Sequence, residues 1–271
     1  MRGKTVLITG ANSGIGFVTA RELARIRARV LMICRDTERG ANARAAVAQA
    51  ATGAAPLLIN NAAGIFAERE LTADGIERTF ATNHLGPFLL TNLVLDLVKA
   101  ATGGRIVNVA AEGYPSKLDF GNLEGGKRYG FLSAYFRSKL AITIFSNDLA
   151  HRLKDSGVSV NCMSPGPTRT RFGDNMRGFA GLFPRLLKML FPSAATGART
   201  LIYLASSPEV DGISGRFFLR QRARPTKPVT SDPEVAARLW RVSAELVGLS
   251  VDTQLAGQPR TEAETSSRSA A

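Results

Sequence analysis

The sequence predicts a single α/β domain built on a doubly wound parallel sheet, with helices layered on both faces. Three observations lead there. Apolar, β-branched runs of strand length alternate with amphipathic stretches of helical period along most of the chain. The 271 residues, 45% of them hydrophobic, suffice for one large core of this kind. The opening stretch, Lys4 to Gly16 (KTVLITGANSGIG), reads as strand, glycine turn and helix in immediate succession.

That turn suits a pyrophosphate. Gly10 allows the tight reversal, Gly14 lets backbone approach an anion with no Cβ in the way, and Gly16 lets the helix pack against its strand. Gly10, Asn12, Ser13, Gly14, Ile15 and Gly16 are therefore candidate cofactor-binding residues, at a helix N-terminus that offers N–H groups to an anion. A plain structural turn is the competing reading of three glycines. Phe17 to Arg27 continues as an amphipathic helix, and Arg29 to Cys34 reads as a second buried parallel strand that completes a βαβ unit. At the end of such a strand an acid grips the ribose hydroxyls of NAD, whereas an arginine favours the 2′-phosphate of NADP. Here Arg35 follows the uncharged Cys34, which favours NADP over NAD; Asp36 serves equally as cap of the next helix.

Glu38 to Ala51 reads as an alanine-rich helix, and Leu57 to Asn60 as a short strand running into the corner Asn61-Ala62-Ala63-Gly64. Asp74 to Ala100 reads as one long helix, strained near Gly86-Pro87 and containing Asn83. Arg105 to Val109 is the next strand, followed by Ala110-Ala111, and Ser133 to Ser156 is a helix with Tyr135 and Lys139 one turn apart on one face. An ammonium in that position favours a phenolate, which can exchange a proton with a substrate oxygen. Val158 to Met163 is a strand ending at Ser164-Pro165-Gly166-Pro167, Ala194 to Ser206 a helix, Gly215 to Leu219 the last strand, and Asp232 opens a final helix to Gly248 around Trp240, a packing residue. Residues 1–250 are expected to form the one domain and 251–271 a polar, disordered tail.

Thr9-Gly10-x-x-x-Gly14-x-Gly16, Asn60-Asn61-Ala-Ala-Gly64 and Tyr135-x-x-x-Lys139 together resemble the three signatures of the short-chain dehydrogenase/reductase family. Cys34-Arg35-Asp36 and Asn83-His84-Leu85-Gly86 are similar to its retinol-dehydrogenase-like branch. The resemblance covers about Lys4 to Leu249 and implies a Rossmann-like, three-layer α/β/α fold and hydride transfer between NADP(H) and a lipophilic alcohol or carbonyl. It implies catalytic roles for Tyr135, Lys139 and Asn83, the last shaping its helix and holding a water. It further implies cofactor contacts from Asn61, Tyr135, Lys139, Pro165, Gly166 and Thr170, the last on the carboxamide or the phosphates.

The chain departs from the family in two ways. Between Ala51 and Leu57 a typical member carries another strand and helix, so this chain is one β-α unit, about 30 residues, short. The Asp that follows that strand and contacts adenine goes with it, and the helix from Glu38 is expected on the face where the missing helix would lie. Ala111 stands where the family has a serine that donates to the substrate oxygen; losing such a donor costs on the order of 10²- to 10³-fold in rate. A dinucleotide-binding pseudoenzyme with a sensing or scaffolding role is the alternative function.

Charge and composition bound the rest. The 35 Lys+Arg against 22 Asp+Glu give +13, but the arginines are scattered along helices, not gathered with exposed aromatics, which argues against nucleic acid. Two distant cysteines, Cys34 and Cys162, with no metal-ligand spacing predict a reducing compartment and no metal. Met1-Arg2-Gly3 leads directly into the first strand, so a cytoplasmic protein is expected. The basic amphipathic segment 171–192 reads as a lid over an apolar substrate, or as a peripheral membrane contact.

Overall fold

The computed structural model describes residues 1–33, 56–168 and 191–250. Seven strands form one sheet in the order β2-β1-β3-β4-β5-β6-β7, comprising β1 (Thr5–Thr9), β2 (Arg29–Ile33), β3 (Pro56–Asn60), β4 (Arg105–Val109), β5 (Ser159–Ser164), β6 (Arg216–Leu219) and β7 (Arg222–Arg224). The first six run parallel, and β7 returns antiparallel to β6. The order reverses at β1, so the carboxyl ends of β1 and β3 open the crevice where a doubly wound sheet takes its ligand.

Alternation along the strands sorts the core into two layers. Leu7, Leu58, Ile106, Val160 and Phe217 face one side, under α2 (Gly86–Lys99), α3 (Phe131–Arg152) and α5 (Pro233–Leu246). Val6, Ile8, Ile59, Val107, Met163 and Phe218 face the other, under α1 (Gly14–Arg25) and α4 (Ala194–Ser206).

Three sequence expectations need correction, and a fourth, strain near Gly86-Pro87, takes a definite form. Strand β2 is not buried: it is the sheet's edge, with Arg29 exposed and Met32 49% exposed, because among the described residues no strand lies outside it. The long helix begins at Arg78, not Asp74. Gly75 takes φ +77°, Leu71 bridges to Glu77, and the buried carboxylate of Glu77 accepts from the N–H groups of Thr79 and Phe80 as the cap. Before Pro87 the chain widens into a π-helical turn, Ala81–Leu85, which accommodates a residue that has no N–H to donate. Finally, β6 is not the last strand. A two-residue turn with Arg220 at φ 50° and Gln221 at φ 63° reverses the chain into β7, and Thr200 Oγ1 accepts from Gln221 N–H at 3.1 Å.

The expected helix at Glu38 to Ala51 and its face, Cys34, Arg35, Asp36, Thr170, nearly all of segment 171–192 and the tail 251–271 lie outside the described residues.

Candidate active site

The glycine turn is built as a cradle. Gly10 and Gly14 take φ +64° and +55°, a conformation that favours glycine. A Cβ on Gly16 would stand 2.4 Å from Gly10 O and 2.5 Å from Asn61 Nδ2, so no side chain fits there. Ser13, the N-cap of α1, sends no side-chain hydrogen bond to the first turn, and no acidic residue stands in that turn. By contrast Ser193 caps α4 and Asp232 caps α5. An open backbone cradle at a helix end lacking a side-chain cap fits a pyrophosphate, with Gly10, Asn12, Ser13, Gly14, Ile15 and Gly16 around it.

From this turn a chain of hydrogen bonds runs to the tyrosine helix. Thr9 Oγ1 accepts from the N–H groups of Asn61 (3.0 Å) and Ala62 (2.9 Å), and Asn61 Nδ2 donates to Thr9 O at 2.8 Å. Asn61 thereby clamps the corner after β3 to the turn after β1. At the far end of the corner, Gly64 N–H donates to Asn83 Oδ1 at 2.8 Å, and Asn83 Nδ2 donates to Gly64 O and to Ser138 Oγ, each at 2.9 Å. Ser138 Oγ in turn donates to Tyr135 O at 2.6 Å. Asn83 is 1% exposed and sits mid-way in the π turn, where Pro87 cannot supply the usual helical donor to its carbonyl.

Tyr135 and Lys139 lie together as their spacing requires. Lys139 is 1% exposed; its Nζ donates to Val109 O at 2.8 Å, at the carboxyl end of β4, and stands 5.7 Å from the centre of the Tyr135 ring. Burial lowers the Lys139 ammonium to about 7 and pushes the Tyr135 phenol up. Each group on its own is thus held toward its neutral form, and a nearby positive charge is what would favour the phenolate. Ala111 is two residues beyond Val109 and offers no donor. Beyond β5, Gly166 takes φ +69°, and Gly166 N–H donates to Ser164 Oγ at 3.1 Å, so Pro165 and Gly166 shape the loop at the same sheet edge. Gly197 on α4 brings this loop to the first turn: a Cβ there would stand 2.7 Å from Thr168 and 3.0 Å from Ile15.

Sequence reasoning missed Thr9, Ser138 and Gly197. Ser138 sits beside Lys139 in the Tyr135 motif, and Thr9 opens the glycine motif, so both stood within patterns already marked; Gly197 carried no signal. It also missed a second tyrosine and lysine pair. Lys227 Nζ lies 5.7 Å from the Tyr114 ring and donates to Tyr114 O. Tyr114 is buried against Phe217, and burial pushes its phenol up to about 12, so this pair is a packing contact. His84 also packs: its Nε2 pairs with Ser243 Oγ at 2.7 Å among Phe80, Phe88 and Phe145. Among the described residues no cluster of His, Cys, Asp or Glu could hold a metal, and no helix is long and apolar enough to cross a membrane.

Comparison with known proteins places this geometry. The family described as short chain dehydrogenase matches residues 4–56 and 41–179. The two stretches overlap, as they would where sequence between two parts of the family pattern is absent. Human retinol dehydrogenase 14 is 40% identical over 300 positions, covering 92% of this chain and 88% of that protein, and mouse retinol dehydrogenase 13 is 37% identical over 284, covering 92% and 85%. Both alignments are longer than the 271 residues of this chain, so both relatives carry segments it lacks. The crystal structure of an uncharacterized protein from Mycobacterium paratuberculosis superposes with a TM-score of 0.66 at 32% identity, covering 92% of this chain and 94% of that one. With the glycine cradle, the asparagine corner and the Tyr135 and Lys139 pair all on one sheet edge, the chain belongs to the short-chain dehydrogenase/reductase family, as an NAD(P)-dependent oxidoreductase resembling its retinol dehydrogenases.

Proposed function

We propose that this protein transfers hydride between NADP(H) and a lipophilic alcohol/carbonyl pair, retinoids included, with Tyr135 as the proton donor or acceptor. The bound dinucleotide supplies the hydride and, when oxidised, a positive ring. Lys139 holds its ammonium beside the phenol from an anchor on Val109 O, and Asn83 fixes that helix to the corner after β3 through Ser138. The observation that carries this reading is that hydrogen-bond chain, which ties the phosphate turn to the helix of Tyr135. Asn61, Pro165 and Gly166 shape the walls of the crevice; by sequence position alone, Arg35 is assigned to the 2′-phosphate and Thr170 to the carboxamide or the phosphates. The basic amphipathic sequence of segment 171–192 assigns it to an apolar substrate.

A second reading, a dinucleotide-binding pseudoenzyme, is favoured by Ala111 in place of a donor. Titration of NADPH and NADH binding, with turnover of lipophilic aldehydes and ketones before and after Ala111→Ser, separates the two. Turnover with NADPH preferred supports the enzyme. Binding with no turnover and no rescue by serine supports the pseudoenzyme, and absence of dinucleotide binding overturns both.

A further inference from the structure

Two neighbouring residues of the π-helical turn are pinned to different helices. Asn83 reaches Ser138 on α3, while the next side chain, His84, reaches Ser243 on α5, Nε2 to Oγ at 2.7 Å. His84 and Ser243 are both 0% exposed, and the imidazole lies 5.0 Å from the Phe80 ring, 6.1 Å from Phe88 and 6.2 Å from Phe145. Its Nδ1 has no hydrogen-bond partner among the described residues. Stability alone does not select such a residue: an apolar side chain would fill the same space among three phenyl rings without burying an unpaired nitrogen. A buried polar pair can instead fix one arrangement out of several that packing alone would allow.

Helix α5 is a firm anchor for that pin. Trp240, one turn before Ser243, packs on Phe145 of α3 at 5.7 Å and on Phe88 of α2 at 5.1 Å, and the Arg152 guanidinium of α3 stands 4.0 Å from its ring. The turn is thereby tied to α3, the helix of Tyr135, by two routes, directly from Asn83 and through α5 from His84. The first route alone leaves rotation of the turn about its own axis to packing, because the corner at Gly64, which Asn83 holds at both N–H and C=O, is loop and can follow. The turn also lacks one backbone restraint, Pro87 having no N–H to offer Asn83 O. We infer that His84 is a positioning residue: its bond to Ser243 sets the rotation of the π-helical turn, and with it the placement of the Asn83 amide between Gly64 and Ser138.

The test is made on the full chain with His84→Leu combined with Ser243→Ala, which removes both polar partners together and so is expected to leave the melting temperature near wild type. Two readouts follow Asn83. Hydrogen exchange at Gly64, whose buried N–H donates to Asn83 Oδ1, is expected to speed up by about tenfold or more in the double variant. In the same variant kcat is expected to fall by about tenfold or more with dinucleotide affinity unchanged; this arm rests on the function proposed above, whereas the amide does not. A wild-type protein that binds dinucleotide without turnover would therefore count against that function and leave Gly64 to decide the role of His84. His84→Gln, which keeps a donor for Ser243, should recover both readouts. Wild-type protection at Gly64 in the double variant, or wild-type kcat from an active enzyme, overturns the inference, as does a loss that His84→Gln shares. Losses that only track the melting temperature across the variants also overturn it, because His84 would then be packing alone. Should the double variant fail to fold, Ser243→Ala, which keeps the ring and removes the bond, is read in the same two ways.

Discussion

Strands β4 and β5 and strand β2 belong to one sheet yet live in different surroundings. β4 and β5 are buried almost throughout, carry helices on both faces, and deliver Val109 and Ser164 to the site. Among the described residues β2 is an edge, with Arg29 and Met32 exposed, and it meets the site where Ile33 O receives the N–H of Gly10. The hydrogen-bond chain from Thr9 through Asn61, Gly64, Asn83 and Ser138 to Tyr135 bypasses β2 altogether. The hydrogen bonds that position the reacting groups therefore run through the strands on the β3 side of β1 and not through β2.

The sharpest way to break that contrast is at the phenol. Tyr135→Phe should lower kcat by about 10²- to 10⁴-fold while leaving dinucleotide affinity close to wild type, because it removes the exchangeable proton and keeps the aromatic ring. Steady-state turnover alongside a binding titration reads both quantities. If dinucleotide affinity collapsed with turnover, the phenol would serve the dinucleotide as well as the proton. Ala111→Ser acts in the opposite direction at the same site. A donor restored at the end of β4 should raise kcat by up to about 10²- to 10³-fold with dinucleotide affinity unchanged.

The sheet and its site differ in how far they could be read from the sequence. The glycine turn, the asparagine corner and the Tyr135 and Lys139 pair are local patterns, and each recurs in the structure where its spacing put it. The edge status of β2 was hidden because Val-Leu-Met-Ile reads as a buried strand whichever neighbour is missing. β7 was hidden because Arg-Ala-Arg carries no apolar alternation and its turn uses Arg220 and Gln221 at positions where Asn-Gly would have signalled a hairpin. Asn83 was legible, but its bonds to Gly64 and Ser138 were not, since partners 19 and 55 residues away leave no periodic trace.

The phosphate turn offers a smaller perturbation. Gly16→Ala drives a Cβ against Gly10 O at 2.4 Å and Asn61 Nδ2 at 2.5 Å, both part of the clamp between the turn after β1 and the corner after β3. It should cost about 1–3 kcal/mol of stability and weaken dinucleotide binding along with it. Gly86→Ala is the control. Its nearest atom would be Ala81 O at 3.4 Å, and alanine in a helix is expected to be neutral or stabilising by up to about 1 kcal/mol. Thermal melts with and without NADPH check both variants, and equal losses would mean the turn carries no special constraint.

The smallest effect tests whether the interior behind Tyr135 is as closed as its packing implies. His84 and Lys139 are both fully buried bases whose burial lowers them, His84 from 6.5 to about 3 and Lys139 from 10.5 to about 7. For a base depressed in the fold, the unfolded chain binds more protons between the two values, so stability rises with pH across that window. The apo protein should therefore gain stability as pH climbs from about 3 to 6.5 through His84, and again from about 7 to 10.5 through Lys139, by at most about 1.4 kcal/mol per pH unit from each. Urea denaturation at successive pH values measures the slope. His84→Gln should flatten the lower window only, since a glutamine can still bond Ser243 without titrating, and Lys139→Met the upper one only. If water reached Lys139, its window would shrink and Lys139→Met would change little, and the ammonium would then keep its proton at neutral pH without help from a bound dinucleotide.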